Sequence, residues 1–131
     1  MKLESSKTSV QKSRQQVFDF LNEVKNYEQL MPDSIEKFEI LSPEAFLFQL
    51  KGMPEIQLEK KEIHEPEQIV LGARSEKLPF TLTAEIKSIS EETSELQFLF
   101  EGKFNAMMAM MIKSPIQKFI DTLSENIQKQ L

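Results

Sequence analysis

Between residues 34 and 104 apolar side chains recur at every second position, in short runs separated by turn residues. Such alternation marks strands that bury one face and wet the other, the habit of an antiparallel sheet. The runs are "SIEKFEILS" (34–42), "AFLFQLKG" (45–52), "EIQLEKKEIH" (55–64), "IVLGARS" (69–75), "FTLTAEIKSI" (80–89) and "LQFLFEGKF" (96–104). Pro43–Glu44, the segment "EPEQ" and the segment "SEETSE" supply turns between them. The opening "KLESSKTSV" alternates more weakly and predicts an added edge strand.

Two stretches follow the helical period instead. "SRQQ" is a capping box with Ser13 at the N-cap and Gln16 three positions on. Val17, Phe20, Leu21 and Val24 then share a helical face, with Phe18 at its margin. A second short turn, "NYEQLMP", follows and stops at Pro32. The last helix is expected from Asn105 to about Gln130. Ile112, Ile116, Phe119, Leu123 and Ile127 form its apolar stripe, extended by Ile120. Its first turns are apolar all round, because Met107, Met108, Met110 and Met111 point in four directions at 100° per residue. Pro115 removes the amide that would bond to the carbonyl of Met111, so a kink is expected there. Four of seven methionines in five positions admit two readings. They are adaptable core filler, or the pliable wall of a pocket that repacks around guests.

Composition removes several function classes. The net charge of −5 and scattered lysines argue against a nucleic-acid surface, which needs clustered cations. Without cysteine there is no disulfide framework and no thiolate metal site, and one histidine makes a His-based metal site improbable. The first ten residues hold Glu4 and three serines where a signal peptide would be apolar. The longest apolar run, "AMMAMMI", is too short to span a bilayer. The expectation is one cytoplasmic domain over residues 1–131, with no transmembrane segment and no cofactor.

The strand 55–64 carries the main polar signal. With unbroken alternation, Lys60, Glu62 and His64 share the inner face of Ile56 and Leu58 and become polar anchors at a cavity mouth. A bulge between Leu58 and Ile63 would instead return Ile63 to the core and the charges to solvent. Acid–base work by Glu62 and His64 requires the first arrangement. No serine stands in a nucleophile elbow, and no nucleotide loop or metal spacing is present.

A strand, two short helices, six strands and one long C-terminal helix resembles the order of the α+β helix-grip fold. The segments "SRQQVFDFLNEVKNYEQLMP" (13–32) and "SPIQKFIDTLSENI" (114–127) resemble the first and closing helices of the START-related SRPBCC superfamily, which includes polyketide cyclase-like and lipid-transfer proteins. The resemblance implies a curved antiparallel sheet of about seven strands around the long helix. It also implies a cavity between them for a small hydrophobic molecule, such as a lipid, quinone or polyketide. Some members of that superfamily are enzymes and others carriers or regulators.

Joining strand parity to the helical stripe gives an expected cavity lining. It consists of Tyr27, Leu30, Phe48, Leu58, Leu71, Leu82, Phe98, Met108, Met111 and Ile112. Tyr27 is expected near the entrance with its hydroxyl in water. Binding without catalysis is the first expectation. A small cyclase or dehydratase using Glu62 and His64 is the second, and a protein-interaction module the third. The oligomeric state is open, with Met110 a possible subunit contact.

Overall fold

In the computed structural model, which describes residues 1–74 and 79–131, the weak opening alternation becomes two short strands, β1 (Lys2–Glu4) and β2 (Thr8–Val10). Both pair with the same later strand. The break between them is held by buried Ser5, whose hydroxyl accepts from the Phe98 amide at 2.9 Å. Helix α1 (Arg14–Asn22) opens on the expected box: the Ser13 hydroxyl accepts from the Gln16 amide, and the Gln16 side chain accepts from the Ser13 amide. Its buried face is Val17, Phe18 and Leu21. Phe18, read as marginal, lies inside, whereas Phe20 is only half-buried. A 3-10 segment, Val24–Leu30, completes the entry of Tyr27 and Leu30 into the core before Pro32.

Six strands follow: β3 (Ile35–Ser42), β4 (Ala45–Leu50), β5 (Ile56–His64), β6 (Gln68–Ala73), β7 (Phe80–Ser90) and β8 (Thr93–Gly102). Each pairs antiparallel with its neighbour, in the order β1-β8-β7-β6-β5-β4-β3, with β2 also on β8. The expected strand 69–75 is described as far as Ala73; its last residue, Ser75, lies outside the described residues. Alternation sets the buried face as read, with Phe46, Phe48 and Leu50, then Leu82, Ala84 and Ile86, then Leu96, Phe98 and Phe100 all inside.

The final helix, α2 (Ala106–Gln130), runs as a single helix through Pro115, capped by Asn105, whose side chain accepts from the Met108 amide at 2.8 Å. Ile116, Phe119, Ile120, Leu123 and Ile127 are its buried apolar residues, with Ile112 half-buried ahead of them. Among the described residues, polar ties fix its second half. Gln117 donates to the Glu4 carbonyl, Ser124 to that of Ser6, Asn126 to that of Leu30 and Gln128 to that of Ser9. The helix thus lies along β1 and β2, while Phe119 reaches across to Phe48 of β4. A twisted sheet that touches one helix near both of its margins must curl around it. Among the described residues, no helix is long and apolar enough to cross a membrane.

Candidate functional site

The centre of the grip is packed. Tyr27 stacks on Phe46 at 5.0 Å between centroids, Phe46 contacts Phe38 and Phe48, and Phe48 stacks on Phe119 at 5.0 Å. These rings occupy the space between sheet and helix that a central cavity would need. Tyr27, Leu30, Phe48, Leu58, Leu71, Leu82 and Phe98 are buried in that contiguous core.

The space lies at one end instead. A cleft of about 350 Å³ opens where the first turns of α2 leave the sheet. Met108, Met111, Ile112, Pro115 and Ile116 form its helix wall, and Phe80, Phe100 and Phe104 its sheet wall. Lys51, Gly52, Met53, Pro54 and Ile56 close the third side. Of the ten residues expected at a cavity, Met108, Met111 and Ile112 border this cleft and the seven core residues do not.

Three local features build the sheet wall. Phe80 lies 5.0 Å from Phe100, and Phe100 stacks on Phe104 at 6.2 Å with planes 5° apart. Gly102 permits this: a Cβ there would meet the Phe104 ring at 2.5 Å and the Phe80 Cβ at 2.9 Å. On the third side, Gly52 takes a φ of 81°, in the left-handed region that favours glycine, and so turns the chain after β4. Phe104, expected at the end of the strand 96–104, lies beyond β8, which stops at Gly102, in the short connection before the Asn105 cap.

The lining is almost wholly apolar, and Lys51 alone brings a formal charge. The polar residues of β5 stand elsewhere, because the strand is bulged. Lys60 faces Leu71 as unbroken alternation requires, but Glu62 faces Val70 and Ile63 faces Ile69, leaving Lys61 as the extra residue. Glu62 and His64 are therefore exposed, 3.7 Å apart at their nearest, and not on the inner face. Ile63 returns to the face of Ile69 yet stays 40% exposed at the strand end. Lys60, ahead of the bulge, remains inward with its side chain 11% exposed, 3.9 Å from the Glu44 carboxylate. Lys61 donates to Glu59 at 2.7 Å, which holds that carboxyl below its ordinary range with help from Arg74. Among the described residues, no cluster of His, Asp and Glu could hold a metal ion.

Tyr27 also differs from expectation. Its side chain is fully buried rather than at an entrance, and its hydroxyl has no hydrogen-bond partner among the described residues. Burial alone raises its pKa far above the ordinary phenol value.

No family model and no curated protein matches the chain in sequence. Solved structures match it throughout. A START superfamily protein from Mycobacterium smegmatis is 13% identical, with a TM-score of 0.72 over 98% of this chain and 95% of its own. Norcoclaurine synthase from Thalictrum flavum, solved in complex with dopamine and hydroxybenzaldehyde, is 10% identical, with a TM-score of 0.72 over 100% of this chain and 88% of its own. A protein from Thermus thermophilus is 8% identical, with a TM-score of 0.74 over 98% of this chain and 95% of its own. At such identities the likeness speaks for architecture, and the architecture is the helix-grip fold of START-related proteins.

Proposed function

We propose that the chain binds one small apolar molecule, lipid-, quinone- or polyketide-like, in the cleft at the start of α2, as a cytoplasmic carrier or sensor. The observation that carries this reading is the lining itself: three aromatic rings face methionine and isoleucine across about 350 Å³, with one ammonium at the edge. Small-molecule sites span roughly 300–1,000 Å³ and are mostly apolar, so this one suits a guest of one or two rings or a short chain. The half-buried Met108 and the exposed Met111 have unbranched side chains able to repack around different shapes. Lys51 offers an anchor for a carboxylate or carbonyl on the guest.

The reading is one of binding rather than turnover. General acid–base work needs groups within hydrogen-bond reach of the substrate, directly or through one water. Glu62 and His64 lie on the exposed end of the β5–β6 hairpin and do not border the cleft.

The test is titration with the environment-sensitive probe N-phenyl-1-naphthylamine, in the parent protein and in Met108→Trp. The parent should bind with enhanced fluorescence. The indole should fill the cleft and displace the probe while the melting temperature stays within a few degrees. Equal binding by both proteins, or none by the parent, would sink the proposal. Native mass spectrometry of the gently extracted protein would show which guest accompanies it.

A further inference from the structure

The outer side of the same two helical turns has a separate property. Met107, Met110 and Met111 are 75%, 82% and 66% exposed, three of the seven large hydrophobics on the described surface. At 3.6 residues per turn they share an arc of about 100° with Ser114 and Lys118, opposite the buried stripe. Lys113 borders that arc, and Lys103 and Lys51 flank the helix start and the cleft.

The charges here differ from the rest of the chain. The protein carries 21 acidic and 16 basic residues, yet no carboxylate occurs between Gly102 and Ile120. None of Lys51, Lys103, Lys113 and Lys118 takes part in an ion pair among the described residues. Glu55 and Glu101, next in sequence to the cleft residues Pro54 and Phe100, are already paired with Lys37 and Lys2. An apolar strip edged by unpaired cations matches a surface that is apolar below and anionic above. An anionic lipid bilayer is such a surface.

We propose that the methionine face of α2 docks on anionic phospholipid membranes, with Met107, Met110 and Met111 at the headgroup–acyl boundary and the lysines against the phosphates. The cleft opens beside this face, so docking sets its mouth at the lipid surface. Among the described residues the polar ties of α2 all lie from Gln117 onward, so the first turns meet a surface without first breaking one of these bonds. The inference stands on the outer face, above all on Met107, Met110, Lys113 and Lys118, which do not border the cleft, whereas Met111 and Lys51 belong to both. Vesicle binding and probe binding are read separately, so the failure of one leaves the other intact.

The experiment is co-sedimentation of the full chain with vesicles of phosphatidylcholine, with and without phosphatidylglycerol, from low to high salt. Binding should require phosphatidylglycerol and weaken with salt. Met107→Ser with Met110→Ser should lower the partition coefficient at least about tenfold, since each side chain loses a burial worth that much or more. Lys113→Ala with Lys118→Ala should weaken binding to the anionic vesicles only. Melting temperatures should not move, because all four side chains are exposed. No binding to anionic vesicles, or binding that the methionine pair does not affect, overturns the proposal. So does sedimentation equilibrium showing a dimer that the methionine changes dissolve, which would assign the face to a second copy.

Discussion

Phe48 and Phe119 stack with their centroids 5.0 Å apart and their planes 10° apart, and this contact decides where the protein is hollow. The rings join β4 to the middle of α2, so the interior is packed at its centre, and the apolar cleft lies toward the Pro115 end of the helix. Phe119→Ala removes the plug. Truncating a buried Phe costs about 3–5 kcal/mol, or roughly 10–20 °C of melting temperature for a chain of this size. The void left beside Phe48 is apolar and should stay dry. Saturating benzene should therefore raise the variant's melting temperature by more than it raises the parent's, whose cleft it can also enter. A variant insensitive to benzene would mean that the core collapses onto the gap.

Gly102→Ala tests the sheet wall of the cleft. The added methyl would stand 2.5 Å from the Phe104 ring and 2.9 Å from Phe80, and neither can yield without breaking the stack on Phe100. Overpacking of this kind costs about 1–3 kcal/mol. Probe affinity should fall with it, because Phe104 is displaced toward the cleft or out of it. Parent-like affinity in the alanine variant would show that Phe104 contributes nothing to binding.

Period-two and period-3.6 patterns placed the strands and the final helix because each has one wet face. Burial then follows from parity at Phe46, Leu82 and Phe98 without tertiary information. The helix side of the cleft was legible for the same reason, since Met108, Met111 and Ile112 precede the buried stripe. Its sheet side was not. Parity says which face a residue occupies but not how far along the helix its partner lies. Phe48, Leu58 and Leu71 share the inner face with the cleft's Phe100, yet lie in the packed core and do not border the cleft. The bulge at Lys61 has no clear sequence mark either, and it turns Glu62 and His64 outward while leaving Lys60 inside.

The capping box offers a quantitative check on local structure. The Ser13 hydroxyl receives the Gln16 amide at 3.1 Å, and the Gln16 side chain receives the Ser13 amide at 3.0 Å. Ser13→Ala should cost about 0.5–2 kcal/mol in urea unfolding, with an unchanged m-value. A loss below the lower bound would mean that α1 is held by Val17, Phe18 and Leu21 alone.

Tyr27 supplies the pH prediction. It is fully buried, stacked on Phe46, and its hydroxyl lacks a partner among the described residues. Burial raises its folded pKa above the 10.0 of an exposed phenol, so the folded chain keeps the proton that the unfolded chain loses. The stability linked to this group is fully present below pH 10.0 and falls as pH rises beyond it. The slope should approach about 1.4 kcal/mol per pH unit for one proton. As the chain has one tyrosine and no tryptophan, tyrosinate absorbance near alkaline pH reports this residue alone. It should appear together with loss of far-ultraviolet dichroism and not before. Tyr27→Phe should remove this tyrosine's part of the alkaline slope. At neutral pH it should be neutral or stabilising, because deleting an unsatisfied buried hydroxyl removes a desolvation cost of about 1–3 kcal/mol. A Phe variant that is less stable at pH 7, or a tyrosine that ionises in the folded protein near pH 10.0, would show that the hydroxyl is bonded to water or to a guest inside the core.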